Sequence, residues 1–474
     1  MGLLRCVFAG AILAIGLSSA SVAQFSTAQF PDLSSDLRSA LAERERVRVI
    51  VEFDFPQIAE DAPDDFDSER RFARMDASRD AAIQQALGIS ADVLASAPVA
   101  VDRPSISHEY RYTPAAAMYL DADEIGALLR SPNVRRVVLD RVSRPLLDTS
   151  IGLVGAADLH TAGLTGQGSS VAVLDTGVDH QHPMVSGGII ESACFSTPDP
   201  AQQITGFCPN GLASDTVSAQ AGDNCEEYAD DPVGGANGCN HGTHVAGIAA
   251  GRDYQNPDAP GQTIRGVAPG AGIVAVQVFH RVADAEACGA SGPVCTLTAD
   301  SDQLAALEWL YANRAALNLA SINMSLGGGQ FRSACDQAVI TPIIRQLRTA
   351  GIATVIASGN NGYPDTVAGP ACITPAVTVG SSTDSDTLSG FSNTGYLIDL
   401  LAPGTQILSA RATANDSGSA GAIALDGTSM ATPHVAGAFA LLRAAHPDAS
   451  VEAIENALES TGLNIAHPRS GLQA

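Results

Sequence analysis

Five continuous apolar runs, each followed by a loop or a helical segment, constrain the fold of this 474-residue chain more than any other feature. They cover residues 170–174, 273–279, 320–324, 352–357 and 376–379. Runs of this kind are typical of strands that are buried on both faces of a sheet. Helical patterns cover residues 241–251, 300–318, 333–350 and 428–445. This alternation predicts an α/β fold in which helices flank a parallel sheet, and ligands bind such sheets at the carboxyl ends of the strands.

The residues before this region predict a separate, smaller unit. Between 46 and 146 the pattern indicates a strand at 47–53, a helix at 68–87, a strand near Tyr110, a helix at 122–130 and a strand at 134–139. Such a mixture suits a small α+β unit.

The first 23 residues have the pattern of a signal peptide. Arg5 precedes an apolar stretch at 7–17, and small residues end at Ser21-Val22-Ala23, which resembles a cleavage site. The stretch is shorter than the ~20 residues that span a bilayer. We therefore expect a soluble secreted protein, extracellular or periplasmic, with no membrane partner.

The charge of the chain argues against nucleic acid as a partner. All 26 basic residues are arginine, and 51 acidic residues give a formal net charge of -25, which repels a phosphate backbone. An acidic excess also keeps an exported protein soluble, so we expect a monomer.

Cysteine usage is consistent with export. Removing the signal peptide removes Cys6 and leaves an even number of cysteines, which favours disulfides in an oxidising compartment, although a mixture of bridges and buried thiols would fit as well. Their clustering favours local loops, with one distant pair left over. The expected pairs are Cys194 with Cys208, Cys225 with Cys239, Cys288 with Cys295, and Cys335 with Cys372.

Four positions supply the groups that acyl transfer by a serine requires. Asp175 ends the first apolar run, and His241 opens a segment of small residues that can pack closely on a sheet. Ser429 starts an apolar helix whose Pro433 we expect in the first turn, so its backbone N–H can face an oxyanion. Asn360 follows another strand and offers an amide donor. Each residue alone could be structural: a cap, a core histidine or a turn residue.

The motifs around these residues resemble those of the subtilases. They read Asp175-Thr-Gly-Val, His241-Gly-Thr-His-Val-Ala-Gly and Gly427-Thr-Ser-Met-Ala-Thr-Pro-His, in the order of catalytic groups that subtilisin has. The resemblance runs from about 163 to 461. It implies a subtilisin-like fold and a serine endopeptidase in which Asp175 orients His241, His241 is the general base, Ser429 is the nucleophile and Asn360 stabilises the oxyanion. The chemistry that this resemblance implies requires no cofactor.

The run Ser325-Leu326-Gly327-Gly328 resembles the substrate-binding strand of that family, to which an extended peptide adds by backbone hydrogen bonds. No acidic residue lies in 325–329 or 357–360, so an apolar residue is favoured before the scissile bond.

The N-terminal unit resembles subtilase propeptides of the inhibitor I9 type, which are ferredoxin-like, through Tyr110-Arg-Tyr-Thr-Pro and Ser131-Pro-Asn-Val-Arg-Arg-Val. The resemblance implies a propeptide at 24–148, acting as intramolecular chaperone and inhibitor, and a peptidase domain at 149–474 that is released by autocatalytic cleavage. The tail at 146–150 would then lie in the active site.

Three other functions also fit parts of the sequence. Asp175-Thr-Gly and Asp416-Ser-Gly match an aspartic protease, and Cys239, His241 and His244 offer metal ligands. An inactive subtilase fold could act as a binding module.

The acidic residues at 223–231 could hold a structural Ca²⁺, although a solvated loop explains them as well.

Overall fold

The computed structural model describes residues 33–465 except 45, 56–68, 96–103, 111–112, 141, 146–153, 226–237, 258–261, 290–291 and 413–419. The expected signal peptide, the tail at 146–150 and Asp416 lie outside the described residues. No described helix has both the length and the apolar composition needed to cross a membrane.

An N-terminal unit, residues 33–145, is built on an antiparallel sheet of four strands. Their order across the sheet is Ser105–Glu109, Ala115–Leu120, Val47–Phe53 and Val134–Leu139. The helices of this unit are Ser35–Glu43, Glu69–Leu87, Ala91–Ala95 and Ala122–Leu129. Helices and strands share one apolar core, as expected for an α+β unit.

The strand Ala115–Leu120 was missed by sequence reasoning, which places a single strand near Tyr110. Its residues Ala115, Ala116 and Ala117 have low strand propensity. The structure nevertheless holds them between two neighbouring strands, and every residue of the segment is buried. Pairing on both sides outweighs the local preference of alanine. The helix Ser35–Glu43 was missed too.

A C-terminal unit, residues 154–465, contains an eight-stranded sheet. Its order is Leu400–Pro403, Val377–Ser382, Ala353–Ala357, Leu319–Met324, Ser170–Asp175, Gly272–Gln277, Ile189–Phe195 and Ser214–Asp215. All pairs are parallel except the last. The predicted parallel sheet is therefore confirmed, and each of its five predicted strands is present with boundaries shifted by a few residues.

Helices cover both faces of this sheet, which explains why its central strands are mostly apolar. Val171 and Val173 face the helices His241–Ala250 and Thr428–Ala445. Their neighbours Ala172 and Leu174 face the helices Asp300–Asn313 and Thr341–Thr349 on the other side. The remaining helices of this unit are Ala156–Thr161, Ala285–Cys288 and Val451–Thr461.

The helix predicted at 333–350 begins later, at Thr341. Cys335 is bonded to Cys372 and its backbone N–H donates to the Cys372 carbonyl, so the chain before Thr341 follows turns. Pro342 then sits in the first helical turn, where its missing N–H costs nothing. The predicted helix at 300–318 ends at Asn313 instead.

The four expected disulfides are all formed. They join Cys194 to Cys208, Cys225 to Cys239, Cys288 to Cys295, and Cys335 to Cys372.

A six-stranded sheet connects the two units. Its order is Val367–Gly369, Leu326–Phe331, Val142–Pro145, Cys295–Ala299, His280–Val282 and Ile204–Gly206. The strand Val142–Pro145, which we call the tail strand, is the last described segment of the N-terminal unit. It lies between two strands of the C-terminal unit and pairs antiparallel with both.

Two short ribbons complete the described strands. They pair Tyr254–Gln255 with Thr263–Ile264, and Ile407–Arg411 with Gly421–Leu425.

Candidate active site

Asp175 and His241 form a hydrogen-bonded pair that is closed to solvent. Asp175 is the last residue of a central strand, and His241 is the first residue of the helix that follows it on one face of the sheet. Nδ1 of His241 lies 2.7 Å from Oδ1 of Asp175, and both side chains are fully buried. Because a carboxylate only accepts, Nδ1 carries the proton and Nε2 of the neutral ring is left to act as a base.

A glycine allows this close approach of helix and strand. A Cβ atom at Gly242 would lie 2.1 Å from the carbonyl oxygen of Gly177, closer than any side chain tolerates. The backbone N–H of Gly242 also donates a hydrogen bond to the Thr176 hydroxyl oxygen at 3.1 Å. The small residues after His241 therefore set the position of the imidazole.

Ser429 lies in the first turn of the helix Thr428–Ala445, as the sequence predicts. Its hydroxyl donates to the carbonyl oxygen of Ser325 at 3.4 Å, and the Ser325 hydroxyl donates to the Ser429 carbonyl at 2.7 Å. Pro433 is in the second turn and not in the first, so the expectation for its place was wrong. Because proline has no N–H, the Ser429 carbonyl has no helical donor and accepts from Ser325 instead.

Asn360 has an amide donor for which the described residues offer no acceptor. Its Oδ1 accepts from both the backbone N–H and the hydroxyl of Thr428, each at 2.9 Å. These two bonds fix the orientation of the amide, and its Nδ2 is buried with no acceptor among the described residues. An unsatisfied buried donor beside the start of the Ser429 helix is what an oxyanion requires.

Sequence reasoning missed the roles of two residues at this site. Thr428 holds Asn360 and also accepts from the Gly359 N–H at 3.2 Å. Ser325 holds the backbone of Ser429, although we expected it only to contact substrate. The signal for Thr428 was present in the sequence, since it directly precedes Ser429. The role of Ser325 follows from Pro433, more than 100 positions away along the chain.

The predicted substrate strand is occupied by the chain itself. Leu326 pairs with Pro145 and Gly327 pairs with Arg144, while on the other side Thr298 pairs with Ser143. A Cβ atom at Gly327 would lie 2.9 Å from the Gly369 carbonyl oxygen, so only glycine fits there. Gly328 continues the same strand and pairs with Gly369. An extended peptide can thus join this sheet as its central strand.

The metal site that Cys239, His241 and His244 suggested is not formed. Cys239 is bonded to Cys225 and His241 is bonded to Asp175. His244 contacts the carbonyl oxygens of Ile407 and Ile423, and burial lowers its pKa to about 3. The three side chains are therefore committed to other partners.

Two groups of acidic residues offer carboxylate oxygens that could bind a cation. Asp399, Glu455 and Glu459 can bring carboxylate oxygens within 4.8 Å of one another, but Arg348 already forms an ion pair with Glu455. In the acidic loop, Asp223 accepts the backbone N–H groups of His180 and Asn224. The other acids of that loop, at 226–231, lie outside the described residues.

Comparison with known proteins supports one family. Residues 166–471 match the Subtilase family of peptidases. Subtilisin E of Bacillus subtilis (strain 168) is 31% identical over 370 residues, which cover 76% of this chain and 79% of that protein. The extracellular serine proteinase of Thermus sp. (strain Rt41A) is 38% identical over 228 residues, covering 48% of this chain and 47% of that protein. A solved structure of a cold-adapted subtilisin-like serine proteinase aligns with a TM-score of 0.42 at 29% identity, over 63% of this chain and 83% of that chain.

Proposed function

This chain belongs to the subtilase family and is a serine endopeptidase, and on that premise we propose that Asp175, His241 and Ser429 form its catalytic triad. The buried hydrogen bond of 2.7 Å between His241 and Asp175 carries the proposal. It leaves Nε2 of His241 as a proton acceptor held in one orientation by a carboxylate.

The reaction then proceeds in two halves. Nε2 takes the proton of the Ser429 hydroxyl as Oγ attacks the substrate carbonyl, and the oxyanion is bound by Nδ2 of Asn360 and the Ser429 N–H. His241 gives the proton to the leaving amine, which leaves an acyl group on Ser429. Water, activated by the same imidazole, releases the acid. These groups supply all the proton transfers, so the proposed chemistry needs no cofactor.

A serine-directed fluorophosphonate probe tests the triad. We expect mass spectrometry to find the label on Ser429 in the mature enzyme, and to find none after His241→Ala. Ser385→Ala, a change at an exposed serine, is the matched control and should keep full labelling. Labelling of another serine, or undiminished labelling without His241, would exclude the proposed roles.

We propose that the N-terminal unit is a propeptide that blocks the site until it is cleaved. The tail strand supports this, because it fills the place of a substrate between Leu326–Phe331 and Cys295–Ala299. Pro145 pairs with Leu326, which directly follows Ser325, and the carbonyl oxygen of Ser325 accepts from the Ser429 hydroxyl. Cleavage is therefore proposed shortly after Pro145.

Buried ionic contacts support tight docking of the propeptide. Arg48 lies 2.6 Å from Asp140 and 3.1 Å from Asp302, and His108 lies 2.8 Å from Asp302. Asp140 accepts the backbone N–H of Ser301 at 2.8 Å. Although burial opposes its charge, Asp302 has a pKa well below its usual range because Arg48 and His108 stabilise the carboxylate.

Sequencing of N-termini tests the maturation. The wild type should accumulate as a fragment that begins near residues 148–151, whereas Ser429→Ala should retain the N-terminal unit and lack activity. Processing of Ser429→Ala at the same bond in a protease-free expression system would show that cleavage is not autocatalytic.

Export is part of the same proposal. The four disulfides are stable in an oxidising compartment, and the pattern at residues 1–23 provides a route to it. The substrates are proteins and peptides, and we propose that the enzyme works as a monomer.

A further inference from the structure

Gln303 is a fully buried amide for which the described residues supply no hydrogen-bond partner. Its side chain is completely inaccessible to solvent, and neither Oε1 nor Nε2 has a partner in the part of the chain that the structure describes. Burying an amide in this state costs free energy, because its bonds to water are lost and not replaced. An apolar residue would be more stable at this position unless a ligand uses the amide.

Gln303 lies next to the substrate cleft, by which we mean the space that the tail strand fills between the strands Cys295–Ala299 and Leu326–Phe331. It lies in the first turn of the helix Asp300–Asn313, which follows directly from the strand Cys295–Ala299 beside the tail strand. Helical side chains lean towards the N-terminus, here towards that strand. One turn later, Leu307 shares an apolar cluster with Leu326 from the strand on the other side of the tail strand. The helix therefore packs on the same apolar core as that strand, and Gln303 lies in its turn nearest the strand Cys295–Ala299.

Thr298 gives a second, independent indication. It is also fully buried, and within the described ranges its hydroxyl has no hydrogen-bond partner. It is the residue of the cleft wall that pairs with position 143 of the tail strand. One unsatisfied polar side chain therefore lies on the residue opposite position 143, and the other lies in the first turn of the helix that follows the same strand.

We propose that Gln303 and Thr298 form a polar subsite that selects an asparagine or glutamine side chain at the substrate position paired with Thr298. This rests on the proposed function, because it assumes that substrates bind as the tail strand does. An amide side chain can both donate to and accept from Gln303, and so replaces the bonds to water that burial removed. An apolar side chain of equal size leaves both groups unsatisfied, and such sites reject apolar analogues strongly.

Two peptides that differ at one side chain test the subsite. Both have the sequence of residues 142–151, with position 143 changed to asparagine in one and to the isosteric leucine in the other. For the mature wild type we expect kcat/KM to favour the asparagine peptide by at least about tenfold. Gln303→Leu should reverse that preference. Thr354→Val is the control and should keep the preference, because it removes from the parallel sheet a buried hydroxyl that has no hydrogen-bond partner among the described residues.

The outcomes separate the subsite from the proposed function. If the wild type cleaves both peptides equally well, or prefers leucine, the subsite is wrong while the endopeptidase remains. This comparison needs no variant, so it holds even if Gln303→Leu fails to fold. If the mature protein cleaves neither peptide and reacts with no fluorophosphonate, the proposed function and the subsite fall together.

Discussion

At the scale of single residues, the site depends on hydrogen bonds that fix the side chains while the Nδ2 donor of Asn360 is not used in them. Asn360 uses its oxygen twice on Thr428, so its Nδ2 points to a place where no acceptor lies among the described residues. Ser325 and Ser429 exchange two hydrogen bonds, which hold the backbone of Ser429 as well as its hydroxyl. The reacting groups are therefore positioned before substrate binds.

Asn360→Asp isolates the donor from the positioning bonds. Asp keeps an oxygen for Thr428 but replaces the amide donor by a carboxylate oxygen, which repels an oxyanion. We expect kcat to fall by at least about 10²–10³, the loss found when one oxyanion donor is removed from a subtilisin, with a smaller change in KM. Steady-state kinetics measures this, and Asn361→Ser, at the exposed neighbour, should retain wild-type values. A kcat of Asn360→Asp equal to that of the wild type would contradict the assignment of Asn360 as an oxyanion donor.

Ser325→Ala should lower both stability and kcat, because the Ser429 carbonyl loses its donor. The expected cost is about 1–3 kcal/mol of unfolding free energy, which is that of an unsatisfied buried acceptor. Pro433→Ala supplies the missing helical N–H, so the double variant should regain part of that stability. Urea denaturation of both single variants and the double variant, each in the Ser429→Ala background, measures these changes in unfolding free energy. Purely additive losses would show that Pro433 and Ser325 are not coupled.

At the scale of elements, the first turn of the helix Asp300–Asn313 serves two neighbours. Asp302 forms ion pairs with Arg48 and His108 of the N-terminal unit, while Thr298, just before the helix, pairs with the tail strand. The tail strand joins these regions, since Asp140 binds the Ser301 N–H just before it. Docking of the N-terminal unit and occupation of the cleft are therefore mechanically linked.

Arg48→Met tests this link. The change leaves Asp140 and Asp302 buried near each other without their cation, and breaking such a pair costs about 3–5 kcal/mol. We expect the Ser429→Ala precursor to release its N-terminal unit at a lower urea concentration, as limited proteolysis would detect. Arg135→Met removes an exposed arginine 3.9 Å from Glu52 and should change the midpoint little. Equal midpoints for both variants would contradict a docking role for Arg48.

At the scale of the whole molecule, buried histidines make stability depend on pH. His244 and His434 are both buried, and burial lowers their pKa values to about 3 and about 4. Unfolding restores ordinary values, so at acid pH the unfolded chain binds protons that the native state does not. Their contribution to stability is complete above about pH 6.5 and is lost as the pH falls towards 4 and then 3.

We therefore expect the unfolding free energy to fall by up to about 1 kcal/mol per pH unit for each of these histidines between about pH 6 and 5. Urea midpoints of the Ser429→Ala protein measure this slope. His434→Gln removes one titrating group and should make the slope smaller, whereas the same change at the exposed His446 should not. An unchanged slope in His434→Gln would mean that this histidine titrates alike in both states.

The sequence by itself determined the parts of this protein that depend on local pattern. Apolar runs identified the parallel strands because burial on both faces favours apolar residues at most positions of a strand. Short motifs identified Asp175, His241, Asn360 and Ser429, since each lies where a strand ends or a helix begins. The spacing of the cysteines anticipated their pairing, because short loops close most readily.

Only the tertiary structure decided the parts that depend on distant residues. Pro433 frees a carbonyl for Ser325, Arg48 meets Asp302, and the strand Ala115–Leu120 forms against its local preference. In the sequence, Gln303 resembles any other polar residue of a helix. Its burial depends on the surrounding tertiary structure and cannot be recognised from the local pattern. The physical reason is common to all four: hydrogen bonding and burial depend on neighbours in space, which a local pattern does not contain.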